Sequence, residues 1–232
     1  MPRQPYLQLA SPADETTLDI GAGAIGKQPA LEKIIGECLI SWPHVEAEMA
    51  LFLGEILGTE NAASSAVYQI LRRSSAQREA VTEAARAGLS QVDQEITNAL
   101  LNVHKSIEAE RNALAHGHFG LANTIPDGIV WMTSSDYVNI RIFLISRPAA
   151  IWNPQNKKTL LSRVWVYREP DLKAILDDIR ELAGLWYSAI KYLRLPEGSE
   201  GRAQVYRQLC ERPHIRRELE KLRRENAPPI QP

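Results

Sequence analysis

The stretch Glu110-Arg111-Asn112-Ala113-Leu114-Ala115-His116-Gly117 closes a long helical pattern and decides how the chain reads. Upstream, Ile96, Leu100, Val103, Ile107 and Leu114 mark one face of an amphipathic helix, spaced by threes and fours with one member missing. The gap falls at Glu110 and Arg111. A guanidinium on an apolar stripe is costly unless a partner compensates it, so position 111 calls for a reason. His116 follows in the last turn, and Gly117 supplies a helix stop.

Before this helix, a helix is expected to start at Pro29, a good first-turn residue, and to run to Trp42. Pro43 should break or kink it, and Val45, Met49, Phe52, Leu53, Ile56 and Leu57 carry an apolar stripe onward to Gly58. Two shorter helices are expected over Ala62–Arg73 and Ala76–Gly88, then the long one over Gln91–Ala115. After Phe119 the chain turns rich in β-branched and aromatic residues. Ile129–Met132 and Val138–Leu144 read as a hairpin across Thr133-Ser134-Ser135-Asp136. Ser162–Arg168 adds a third strand after a Pro/Asn/Lys loop, giving a three-stranded antiparallel sheet. Helix returns at Asp171, where Leu172, Ile175, Leu176, Ile179, Leu182, Trp186 and Leu193 are spaced for one buried face. Residues 200–225 read as one or two charged helices, and Ala227–Pro232 as a disordered tail.

Arg111-Asn112, a short spacer and His116 near the end of a long helix resemble the signature of the HEPN family of helical domains. The resemblance covers that helix firmly and the preceding helices, from about Leu31, loosely; everything after Phe119 lies outside it. It implies metal-independent RNA cleavage, in which the ribose 2′-hydroxyl attacks the adjacent phosphate. His116 would act as general base or acid, because an imidazole titrates near neutral pH. Arg111 would hold the phosphate, where a planar guanidinium bonds two oxygens at once. Asn112 would orient His116, one turn away. Five residues separate Arg111 from His116, about 140° around an ideal helix, so the two do not share a face. The family packs two copies so that both motifs line one cleft, and a homodimer through the Arg111/His116 helix is therefore expected. His118, Glu46 and Glu110 are possible auxiliary residues, His118 as a second phosphate or proton-transfer ligand.

The competing reading is structural. In it Arg111 pairs with Glu46 or Glu48 from the first helix, and His116 caps the helix beside Gly117, favoured by the dipole. Members of such a family can also keep the fold and only bind. His104, His116 and His118 lack the spacing of a zinc site, and neither a metal nor a cofactor is expected.

Composition narrows the classes. The 232 residues are 44% hydrophobic and 24% charged, which is ordinary for a soluble globular protein. A formal net charge of −1 argues against a broad basic face for duplex nucleic acid but permits a small basic cleft. Cys38 and Cys210 lie far apart and read as reduced packing residues. Residues 1–29 lack the apolar core of a signal peptide, no run is long and apolar enough to span a bilayer, and a cytoplasmic location is expected. Leu18–Gly26 satisfies the GxGxxG pattern and looks like the first glycine-rich motif of Rossmann-like methyltransferases. Such a loop needs repeated β-α units around it, which this sequence does not offer, so a flexible or docking arm is expected instead. Arginines between 202 and 224 could touch RNA phosphates, yet interleaved glutamates favour a solvated or partner-binding helix.

The expected fold is mainly α: a HEPN-like up-and-down helical bundle over 29–195 with a small antiparallel β-sheet inserted at about 119–168. A flexible arm at 1–28 precedes it, and a charged helical extension with its tail follows at 196–232. The expected function is RNA cleavage by a homodimeric toxin or phage-defence effector, with RNA and a protein regulator as candidate partners. The alternative is a non-catalytic scaffold or sensor that binds a protein or nucleotide partner. An enzyme transferring nucleotidyl or methyl groups through the glycine stretch is the remote third option.

Overall fold

In the computed structural model, which describes residues 3–11, 15–59, 61–146 and 153–225, the apolar stripes become long helices and the β-rich stretch becomes a sheet. The chain divides into two units, Met1–Ile40 with Glu108–Asp178 and Ser41–Ile107 with Ile179–Pro232. The division falls inside three helices: α2 (Pro29–Leu57), α5 (Gln91–His116) and α8 (Glu169–Arg194).

The first unit is built on a five-stranded antiparallel sheet, ordered β1-β5-β4-β3-β2. Its strands are β1 (Gln4–Pro5), β2 (Leu18–Ile20), β3 (His118–Ala122), β4 (Ile125–Met132) and β5 (Trp165–Arg168). Alternation splits the side chains between two faces. Val130 lies opposite Val166, and with Ile125, Met132 and Ala122 these two form one core against Tyr6, Ile140, Leu161 and Val164. Ile129 lies opposite Tyr167 and Trp131 opposite Trp165, so these four belong to the other face.

Three expectations for this unit need correction. Val138–Leu144 is not a strand; it lies within α6 (Ser134–Ser146). The residues read as a hairpin turn form a helix start. Thr133 Oγ1 accepts from the Asp136 amide at 3.0 Å and donates to the Asp136 carboxylate at 2.8 Å, a reciprocal cap. The Pro/Asn/Lys loop contains a second short helix, α7 (Pro154–Leu161), started by Asn153, whose side chain accepts from the Gln155 amide at 2.9 Å. The N-terminal residues are no free arm either. Gln4–Pro5 pairs with β5, the Tyr6 amide donates to Val164 at 3.0 Å, and the Tyr6 ring is fully buried with its hydroxyl against Thr16 and Thr124. Pro5 fits because an edge strand leaves one side of its backbone unpaired.

The glycine-rich stretch begins at β2, which pairs antiparallel with β3, and continues into α1 (Ala22–Ile25). An antiparallel edge strand with a four-residue helix is not the parallel β-α-β unit of a nucleotide-binding fold.

The second unit is helical, with α3 (Asn61–Ile70), α4 (Ser74–Gly88), α9 (Glu200–Glu211) and α10 (Pro213–Glu225) joining parts of α2, α5 and α8. Pro43 does not end α2; the helix assignment runs through it. The core holds Trp42, Met49, Phe52, Leu53, Leu100 and Trp186, all nearly inaccessible. Phe52 and Trp186 pack with ring centroids 5.1 Å apart. His104 is buried among them and accepts from the Trp186 indole at 3.3 Å, a structural role. Asp93 is also buried, but well satisfied: Ser90, Tyr192 and Arg202 all donate to it, Arg202 at 2.9 Å. That ion pair fastens α9, so the C-terminal extension folds onto this unit through Val205, Leu209, Ile215 and Leu219. The expected tail, 227–232, lies outside the described residues. Cys38 and Cys210 are both free thiols. Among the described residues, no helix is long and apolar enough to cross a membrane.

Two glycines test this architecture in opposite directions. A Cβ on Gly120 would come within 2.4 Å of the Asp19 carbonyl oxygen, so Gly120→Ala should force β2 off β3. The expected loss is about 1–3 kcal/mol in urea unfolding. Gly36, inside α2 with open space around it, should gain about 0.5–1 kcal/mol as Ala.

Candidate functional site

The last four carbonyls of any α-helix lack partners within it. At the end of α5 two of them are satisfied from elsewhere in the first unit. The Ala113 carbonyl accepts both the Gly117 amide at 3.0 Å and the indole N–H of Trp131 at 2.9 Å. The His116 carbonyl accepts from Ser134 Oγ at 2.9 Å, which joins the start of α6 to the end of α5. Gly117 is forced by this packing. A Cβ there would lie 1.7 Å from Trp131 Nε1, so no other residue lets the indole reach Ala113.

On this held turn sit the motif residues. Arg111 is half-buried and donates from Nη1 to the Asn112 side-chain oxygen at 2.9 Å. Among the described residues Asn112 meets Arg111 in this way and makes no hydrogen bond to His116. His116 is exposed as the last residue of the helix, and among the described residues its ring makes no hydrogen bond.

Glu110 is half-buried and feels the charge of Arg3, which lies over the Trp131 and Trp165 rings. Burial pushes its carboxyl above the ordinary 4.5, against the pull of Arg3. The Arg3 guanidinium lies 4.0 Å from the centroid of the Trp131 ring and 5.2 Å from that of Trp165. Burial likewise pushes the Tyr167 phenol up to about 12, with the positive charge of Arg3 opposing.

The two remaining auxiliary candidates are placed elsewhere. His118 opens β3 opposite Met132, and its ring stacks on Tyr137 with centroids 4.0 Å apart. Residues paired across an antiparallel ladder share a face, so His118 lies on the Met132 side of the sheet, opposite the face from which Trp131 reaches Ala113. Glu46 belongs to the second unit, where its carboxylate accepts from the Trp42 indole at 3.0 Å.

Sequence reasoning missed Trp131, Arg3 and Ser134 as supports of the turn. The available signal was Gly117, whose lack of a side chain is a demand for space as much as a helix stop. Compared with known proteins, the chain matches no family model, no curated protein and no solved structure.

Gly117→Ala should displace the Trp131 indole from Ala113 and lower stability by about 1–3 kcal/mol in urea, with a shift of tryptophan fluorescence. Glu110 gives a pH dependence of definite sign. Its raised value means that the native state holds the proton more tightly than the unfolded chain does, so this residue lowers stability as pH rises above 4.5. Glu110→Gln should abolish that decline. The variant should gain on the parent between about pH 4 and about pH 7 when melts are compared. An equal difference at both pH values would contradict this.

Proposed function

We propose that the protein is a metal-independent endoribonuclease of the HEPN type that works as a homodimer. The observation that carries the reading is the pairing, on the last turns of α5, of a half-buried Arg111 tied to Asn112 with an exposed His116. A guanidinium braced by a neighbouring carboxamide keeps a planar fork fixed for two phosphate oxygens. An exposed imidazole at a helix end is open to an approaching ribose hydroxyl.

In the proposed reaction the ribose 2′-oxygen bonds to phosphorus and the bond to the 5′-oxygen breaks. The products are a 2′,3′-cyclic phosphate and a 5′-hydroxyl end. His116 accepts the 2′-hydroxyl proton, and Arg111 stabilises the charge gathering on the non-bridging oxygens. The 5′-oxygen takes its proton from His116 of the partner subunit. The second copy is needed because Arg111 and His116 are turned about 140° apart on one helix. A toxin or phage-defence effector is the setting that the resemblance implies, with a protein regulator restraining it in the cytoplasm.

One observation favours a non-catalytic scaffold or sensor instead. Asn112 meets Arg111, and among the described residues no side chain makes a hydrogen bond to the His116 ring.

Purified protein incubated with total RNA in EDTA should cut it to ends carrying cyclic phosphate. His116→Ala and Arg111→Ala should each lower the rate by about a hundredfold or more while circular dichroism stays unchanged. Intact RNA with a properly folded protein would favour the scaffold.

A further inference from the structure

The contacts around α5 include one made by a residue far from the motif in sequence. β1 pairs Gln4 with Val166 and Pro5 with Trp165, which brings the preceding residue, Arg3, alongside Tyr167. From there its guanidinium reaches over two indoles, at 4.0 Å from Trp131 and 5.2 Å from Trp165. Trp131 in turn donates to the Ala113 carbonyl and fills the space left by the absent Cβ of Gly117. Arg3 also supplies positive charge to Glu110, the residue before Arg111. Two paths therefore lead from Arg3 to the motif turn, one by stacking and one by charge.

We infer that Arg3 is a positioning residue for the Arg111–His116 turn, acting through the Trp131 indole. The inference rests on the ribonuclease reading for its catalytic consequence, although the hold on the turn is measurable without it. The indole fills the space beside Gly117, and one hydrogen bond to Ala113 fixes its N–H but not the rest of the ring. A planar cation over the ring adds a second hold and is attracted to the ring face. Holding the indole keeps its N–H on Ala113, and with it the last turn of the helix. An Arg3 that only strengthened the edge strand β1 would affect the whole sheet evenly. A positioning Arg3 acts on one turn.

The test uses the full chain and Arg3→Met, which keeps a stem of similar length but removes the plane and the charge. Hydrogen exchange is followed at the Gly117 amide and the Trp131 indole N–H, which share the Ala113 carbonyl. Both should exchange about tenfold faster in the variant, equivalent to about 1.4 kcal/mol of local opening. The Val130 and Val166 amides in the sheet, and that of Leu100 in the second unit, should stay unchanged. Trp131→Phe, which keeps a ring under Arg3 but offers no N–H, should loosen Gly117 in the same way. With RNA, Arg3→Met should lower kcat about tenfold and leave KM within about twofold, because binding survives a loosened turn while alignment does not. Unchanged exchange at Gly117 in Arg3→Met overturns the inference whatever Trp131→Phe does, as does acceleration spread evenly over the sheet. Loosened exchange with full cleavage by Arg3→Met overturns its catalytic part. A wild-type protein that cuts no RNA, with the loosening still present, sinks the ribonuclease reading and leaves the hold of Arg3 on the turn in place.

Discussion

One carbonyl oxygen carries an unusual share of the first unit. Ala113 accepts the Gly117 amide, which ends α5, and the Trp131 indole, which belongs to the middle strand of the sheet. Helix end and sheet are thus joined at a single atom, and the joint exists only because position 117 has no side chain. Each of its two hydrogen bonds is worth about 1 kcal/mol net. The larger effect is geometric, since the bonds fix where the last turn of α5 begins its exit into β3. Any chemistry done by Arg111 or His116 inherits its geometry from that joint.

Much of the helical part was legible because helices record their buried face locally. Ile96, Leu100, Val103 and Ile107 follow one another within a few turns, and all are buried as the spacing requires. The β region was harder because its periodicity misleads over short distances. Val138, Ile140 and Ile142 alternate like a strand, yet Ile140 is buried at 9% exposure while Val138 and Ile142 stand at 51% and 57% on a helix. The deciding information lay in Thr133 and Asp136, a three-residue-spaced cap that also reads as a turn. Strands of two and three residues at the N-terminus carry almost no periodicity at all. What holds them is register against β5 and β3, more than a hundred residues away along the chain. No local pattern encodes a pairing of that kind.

The candidate site divides along the same line. Arg111, Asn112 and His116 were visible because their spacing on one helix is local. The partners that place them were not, since Trp131, Ser134 and Arg3 come from three other segments. Among the described residues Asn112 meets its neighbour Arg111 and makes no hydrogen bond to His116. An adjacent guanidinium competes for the carboxamide oxygen, and a charged donor binds it more strongly than a neutral imidazole N–H would. His118, two residues from His116 in sequence, lies on the Met132 face of the sheet and stacks on Tyr137, because side chains of a strand alternate between faces.

The charges near the turn explain why it tolerates polar groups on an otherwise apolar stripe. Glu110 and Arg111 occupy the gap in the series, and each meets a compensating neighbour: Arg3 for the carboxylate and Asn112 for the guanidinium. The compensation is incomplete at Glu110, whose carboxyl still sits above its ordinary value because burial outweighs the attraction of Arg3. A turn that served packing alone would gain from an apolar residue at that position, because a half-buried carboxyl with a raised pKa works against folding at neutral pH. Glu110 carries that cost beside Arg111, in the last turns of α5. Poorly compensated polar groups gather where a protein binds or reacts, which makes this turn a candidate for such a place.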